Sequence, residues 1–358
     1  MTVWSATALP EDTCPLLRCK LRALGGAVRR REFLTLVGGA AVAGAWPLPL
    51  RAQQPALPVV AFVNTGSADG LKNRAVSFRK GLSEAGFVEG KSVTIEYHWL
   101  EGRTDQLPAV MAELVKRKVS VIATPGSVVA ALAAKAATTT IPVVFGVPED
   151  PVQLGLVATL GRPGGNATGI NTFSQEVTGK RLRLLHDLVP KATRVAVLIN
   201  PGNASSAQTT LRALRKDAGV MGVQIQKIHN AGPAREIDAA FDVLARERVD
   251  ALFVASDAFF NSLGVQFAAL TARERLPAAY SDREVVAAGG LMSYGSDLAD
   301  MARQVGVYTG SILKGAKPAE LPVLQSAKFK FAINLQTART LGIDVAPRVL
   351  TIADEVIE

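Results

Sequence analysis

From residue 57 onward the chain alternates short β-branched runs with longer amphipathic stretches, and it does so twice on one plan. Strands are predicted at 58–64, 92–98, 119–123, 142–145, 194–200, 224–228, 251–255, 277–280 and 290–294. Helices are predicted at 72–85, 105–117, 128–137, 175–188, 204–218, 234–246, 261–275 and 298–313. Apolar residues three or four apart, such as Val76, Leu82 and Phe87, turn one face of each helix toward a sheet. Gly86, Gly219 and Gly315 stand where a helix end calls for a left-handed residue. Such alternation gives an α/β chain with parallel sheets covered on both faces.

The second run echoes the first. Residues 119–123, a polar turn, a helix and 141–145 form one unit; 249–255, a turn, a helix and 276–280 form the other. Both units close on an apolar residue and a proline that open a strand, Ile141-Pro142 and Leu276-Pro277. The strands at 58 and 92 correspond to those at 194 and 224. Any doubly wound chain shows some of this likeness; the shared proline favours a true duplication. A chain of 358 residues, 48% hydrophobic and 20% charged, has the material for two cores and is not a disordered protein.

The first 52 residues belong to a different class of sequence. They hold seven of the basic residues against three acids, a balance of +4, which leaves +5 for the remainder out of the total of +9. Arg30-Arg31, one spacer and Phe33-Leu34 resemble the twin-arginine export motif, and a Gly/Ala-rich apolar stretch follows. Residues 1–52 are therefore expected to be a signal peptide of the twin-arginine type, cleaved after Ala52. The rival reading, an uncleaved membrane anchor, is opposed by Pro47, Pro49 and the glycines within the apolar stretch. Cys14 and Cys19 lie in this segment, so the body has no disulfide framework, zinc thiolate site or cysteine nucleophile. No dense basic run follows Arg51, which argues against nucleic acid as a partner.

In open parallel sheets, small molecules bind beyond the carboxyl ends of the strands. The loops expected there offer Thr65 and Ser67, then Thr124, Gly126 and Ser127, then Asp150. The second half offers Asn200, then Ser256 and Asp257, then Tyr280 with Glu284 nearby, and Tyr294. Hydroxyls and free amides at 124–127 suit a carboxylate, although helix capping alone explains any one such loop. Asp150, Asp257 and Glu284 are each candidates to pair with an ammonium group. Tyr280 and Tyr294 either stack on a ligand ring or close a sheet edge.

Catalytic patterns do not accompany these loops. His98, His186 and His229 share no metal-ligand spacing, and neither a G-x-S-x-G elbow nor a nucleotide-cradling glycine loop is present. The glycine-rich run 161–169 precedes a short β-like stretch and reads as a turn toward a hinge.

Alongside these loops stand Ala123-Thr124-Pro125-Gly126-Ser127, Ile141-Pro142-Val143-Val144-Phe145 and Asp150-Pro151-Val152. Arg162-Pro163-Gly164-Gly165-Asn166-Ala167-Thr168-Gly169 and Gly289-Gly290-Leu291-Met292-Ser293-Tyr294-Gly295 follow in order. With these motifs, residues 57–358 resemble the periplasmic substrate-binding components of ABC transporters. More specifically, they resemble a group whose characterised members bind aromatic amino acids. The resemblance implies a type I periplasmic-binding-protein fold, two Rossmann-like lobes with parallel sheets joined by a three-strand hinge. It divides the chain into 57–169 plus 289–321 for the first lobe and 170–288 plus 322–358 for the second.

The function implied is a periplasmic solute receptor for an amino acid or aromatic carboxylate, with an ABC permease as partner. Contact with the membrane comes only through that permease, and neither cofactor, metal nor catalysis is implied. Scarce tryptophan, Trp99 alone after processing, argues against a sugar. Two rivals remain. A lactose-repressor-like sensor shares the fold but needs a helix-turn-helix where residues 1–56 are apolar and Gly/Ala-rich. A nucleotide-dependent α/β enzyme needs phosphate-cradling glycines that this chain lacks.

Overall fold

The computed structural model describes residues 56–358 apart from Phe173, Pro233 and Ala327. The expected signal peptide at 1–52, with both cysteines, lies outside the described residues.

The first sheet contains β1 (Val59–Asn64), β2 (Thr94–Trp99), β3 (Val121–Pro125), β4 (Val143–Val147), β5 (Ala167–Asn171) and β11 (Leu324–Gln325). Its order is β11-β5-β4-β3-β1-β2, and every pair is parallel. The second sheet contains β6 (Arg194–Ile199), β7 (Gln224–Asn230), β8 (Ala251–Val254), β9 (Ala278–Tyr280), β10 (Met292–Ser296), β12 (Phe329–Asn334) and β13 (Glu355–Ile357). Its order is β13-β12-β10-β9-β8-β6-β7, with β10 and β12 the antiparallel pair.

The helices are α1 (Lys72–Glu84), α2 (Leu107–Arg117), α3 (Val128–Ala137), α4 (Ser174–Leu188), α5 (Ala204–Met221) and α6 (Ala234–Glu247). They continue with α7 (Ala258–Ser262), α8 (Gly264–Arg273), α9 (Arg283–Ala287), α10 (Leu298–Leu313), α11 (Leu335–Thr340) and α12 (Pro347–Thr351).

The central strands β1, β3, β4, β6 and β8 are buried on both faces, which explains their near-continuous apolar sequences. Alternate residues of β1 divide accordingly: Ala61 and Val63 enter one core with α2 and α3, while Val60 and Phe62 enter another with α1 and α10. In the second sheet Val195 and Val197 pack toward α4 and α5, and Ala196 and Leu198 toward α6 and α8. Helices α1 and α10 touch at their backbones. A β-carbon at Gly81 would strike the carbonyl of Arg303, and one at Gly306 the carbonyl of Phe78.

The chain passes between the sheets after β5, after β10 and after β11. These crossings are tied to one another. Ser296 Oγ donates to the Thr172 carbonyl at 2.8 Å, Ser326 N to the Asn171 carbonyl at 2.8 Å, and Asp297 N to the Lys328 carbonyl at 2.9 Å.

Several expectations are corrected. The segment 289–321 was expected wholly in the first lobe, yet β10 pairs with β9 and β12 in the second sheet. The glycines at 289 and 290 form a turn inside that lobe, Gly289 having φ +111°, and the crossing follows the strand. Residues 170–171 end β5, and 324–325 form β11, so both belong to the first sheet. Helix α5 runs through Gly219 to Met221, and Gly222 (φ +69°) is its left-handed cap. On α1 the buried face is Ala75, Phe78 and Leu82, with Val76 exposed.

Candidate functional site

Carboxyl ends of strands from both sheets converge on one narrow cavity of about 30 Å³. The first lobe lines it with Gly126 and Val128 after β3, Gly146, Val147 and Pro148 at the end of β4, and Leu298 and Met301 on α10. The second lobe contributes Asn203, Ser256, Asp257, Asn261, Ser281 and, on α4, Val177, Thr178 and Arg181. Ala258 also lines the second-lobe side, and Thr172, Gly295 and Ser296, at the crossings, complete the wall. That volume is near the space one water molecule occupies.

Asp257 organises the second-lobe wall. Its Oδ1 accepts from the amides of Phe259 and Phe260 at 3.0 and 3.1 Å and from Asn200 Nδ2 at 3.0 Å. Its Oδ2 accepts from Asn203 Nδ2 at 2.9 Å. Asn203 in turn caps α5 by accepting from Ser206 N at 3.4 Å. In the first lobe, Asn64 Nδ2 donates to the Pro125 carbonyl at 2.8 Å, and the Thr65 and Ser127 hydroxyls lie 3.2 Å apart. Ser127 also caps α3 through Ala130 N at 3.3 Å.

Two arginines are buried among the described residues. Arg74, on α1, reaches across the lobes, and its Nη2 donates to Asp282 Oδ2 at 3.1 Å. Arg181 is 2% exposed and makes no hydrogen bond or ion pair with any other described residue; its Nε is buried without a partner. Its guanidinium lies 4.3 Å from the centre of the Phe253 ring. Burial alone pushes its pKa down to about 9, which leaves it charged at neutral pH.

Two further cavities flank the first. One, of about 280 Å³, is lined by Arg74, Asp282, Arg283, Glu284, Asp297, Lys330 and Glu355 among others. Its charges are mostly paired, as in Arg283–Glu284 at 2.9 Å and Lys330–Asp297 at 2.8 Å. The other, of about 160 Å³, lies between Glu149 and Asp150 and the first turns of α5. Glu149 is buried with Oε2 unpartnered, and burial raises its pKa to about 7. Among the described residues, no group of three or more His, Cys, Asp or Glu is placed to hold a metal ion. No described helix is long and apolar enough to cross a membrane.

Of the residues singled out in the sequence, Gly126, Ser256 and Asp257 line the central cavity. Thr65, Ser127 and Asn200 stand behind it as loop ties, and Thr124 is buried with its hydroxyl unpartnered. Asp150 accepts from Val152 N at 2.8 Å and faces the smaller flanking cavity, while Glu284 faces the larger one. Ser67 closes a surface turn by accepting from Gly70 N. Neither tyrosine reaches the cavity. Tyr280 is buried against Phe267, with its hydroxyl donating to Thr271 Oγ1 at 3.2 Å, and Tyr294 packs on Phe329 and Phe331.

Arg181 lies within a helix and not in a strand-end loop. Its signal is helical: Val177, Leu184, Leu185 and Leu188 form an apolar face, and Arg181 interrupts it.

Residues 58–357 match the family model described as ABC transporter substrate binding protein. A "Tyrosine-binding protein" of Clostridioides difficile is 25% identical over 269 residues, covering 74% of this chain and 75% of its own length. A Streptococcus pneumonia structure described as an ABC domain in complex with L-Trp superposes with TM-score 0.73 at 25% identity. It covers 84% of this chain and 100% of its own. A conserved domain protein of Vibrio cholerae superposes with TM-score 0.76 at 25% identity, covering 84% of this chain and 99% of its own.

Proposed function

This chain belongs to the family of ABC transporter substrate-binding proteins, and we propose that it is a periplasmic receptor for an amino acid or aromatic carboxylate. Its fold is the type I periplasmic-binding-protein fold, with two lobes. Members of the family are exported and work with a small molecule and a transporter permease. Delivery of this ligand to an ABC permease, and export by the twin-arginine route with cleavage after Ala52, form part of the same reading.

The observation that carries the proposal is the shared cavity. Its walls come from strand ends of both sheets, so a ligand held there touches both lobes only when they are shut. Binding then shifts the equilibrium toward the shut form. The Clostridioides relative and the L-Trp complex support an amino acid as the ligand class. Asp257 fits an ammonium group, since its Oδ2 accepts one hydrogen bond and can accept another. The polar side chains around the cavity hold loops and caps, an arrangement that favours binding over turnover.

Isothermal titration with the common amino acids, benzoate and phenylacetate tests this. At least one aromatic member should bind, and small-angle scattering should show the protein compacting on its addition. Binding confined to sugars would reject the ligand class, and chemical conversion of a bound compound would reject the receptor.

A further inference from the structure

We propose that Arg181 is the anion receptor of the cavity, binding the carboxylate of the ligand and seating its head group on the second lobe. This inference rests on the proposed receptor function and adds a residue and an orientation to it.

Three observations carry it. Arg181 lines the cavity yet has no hydrogen-bonded or ionic partner among the described residues. Buried ions are ordinarily paired, as Arg74 is with Asp282. The Phe253 ring supports one face of the guanidinium but accepts none of its N–H donors. A planar carboxylate is the natural complement, since the guanidinium fork can donate to both its oxygens. A dianion such as phosphate is a poorer match: one arginine faces it, and Asp257 shares the same wall.

The orientation follows from the composition of the two walls. Val128, Val147, Pro148, Leu298 and Met301 make the first-lobe side largely apolar. Polar and charged groups are concentrated on the second lobe, where Arg181 sits mid-helix on α4. The ligand therefore docks by its head group on the second lobe, and the first lobe closes over its apolar body.

The test uses intact protein and the variants Arg181→Met, which keeps the packing stem, and Arg181→Lys. L-tyrosine and L-tryptophan are each titrated alongside their own amides, in which the carboxylate is replaced. Wild type should prefer the acids, and Arg181→Met should lose about 100-fold in affinity for them with little change for the amides. Arg181→Lys should recover part of the loss. The midpoint of thermal unfolding without ligand should hold steady or rise in Arg181→Met, because an unpaired buried charge is removed.

Equal affinity in Arg181→Met and wild type would overturn the proposal. So would an equal loss for acids and amides accompanied by a lower unfolding midpoint, which marks a structural arginine. If wild type binds neither amino acid, the amino-acid reading fails and acetate and benzoate decide Arg181. Thermal protection of wild type but not of Arg181→Met then upholds the anion site, and protection that is absent or equal in both removes it.

Discussion

The seam between the lobes and the cavity beside it each bury an arginine, and the two are handled in opposite ways. Arg74 and Asp282 are 4% and 8% exposed and form an ion pair across the seam through Arg74 Nη2, while Arg74 Nη1 is buried without a partner. Arg181, one cavity wall away, has an aromatic face and no counter-charge among the described residues. A pair that supplies both charges from the protein holds two lobes in one relative position. A lone charge leaves its pairing to what enters. Burial alone therefore identifies neither function; what matters is whether the partner belongs to the chain.

The seam is the place to break this contrast most forcefully. Asp282→Asn removes the counter-charge while keeping a side-chain acceptor near Glu284 N, which Asp282 now caps at 3.2 Å. Arg74 is then left buried and unpaired, and urea unfolding should show a loss of about 3–5 kcal/mol. The double variant Arg74→Met, Asp282→Leu should recover most of it. Equal stability in Asp282→Asn and wild type would mean that the seam opens freely and the pair contributes nothing.

Glu149 sharpens the contrast as a buried ion that solves its problem by taking a proton. Burial raises its pKa from 4.5 to about 7, so the folded chain holds the proton more tightly than the unfolded chain. Its stabilising contribution is complete below pH 4.5 and is lost as pH climbs through about 7, a difference of about 3 kcal/mol. Subtracting the pH–stability curve of Glu149→Gln from that of wild type should isolate that decline, and a flat difference would show that Glu149 is solvated.

Gly126 joins the two regions, because it lines the cavity and lies against the seam. It has φ +87°, and a β-carbon there would sit 2.8 Å from Arg74 Nη1 and 3.3 Å from Met301 Cε. Gly126→Ala should lower stability by about 1–2 kcal/mol in thermal unfolding. Ser127→Ala, one residue on, removes a cap that touches neither arginine, and should cost about 1 kcal/mol. A larger effect at Ser127 than at Gly126 would mean that capping, and not the crowding around Arg74, sets the stability of this loop.

Much of the architecture is legible in local sequence pattern. Helices α3 and α10 start where predicted because Ser127 and Asp297 mark their first turns and apolar periodicity carries them onward. Strand membership was harder. The apolar run at 290–294 reads equally well in either lobe, and its sheet is decided by pairing with β9 and β12, which are distant in sequence or ambiguous in pattern. At the candidate site, loop position places Gly126, Ser256 and Asp257 just past strand ends, where they line the central cavity. The tyrosines pack away from the cavity because side chains near a strand end can point down into the core, as Tyr280 does toward Phe267. Arg181 is hidden by its setting between Lys180 and Arg183, where a third cation reads as one more surface residue although helical spacing puts it on the apolar face.

Cross-linking among the three passages between the sheets has a mechanical consequence. Because Thr172 is bonded to Ser296, Asn171 to Ser326 and Asp297 to Lys328, the passages behave as one ribbon and not as independent tethers. Such a ribbon flexes readily across its width, while twisting or sliding would shear the bonds that lace it. The jaws it joins are therefore guided along a single arc, and each time they shut the same side chains arrive opposite one another.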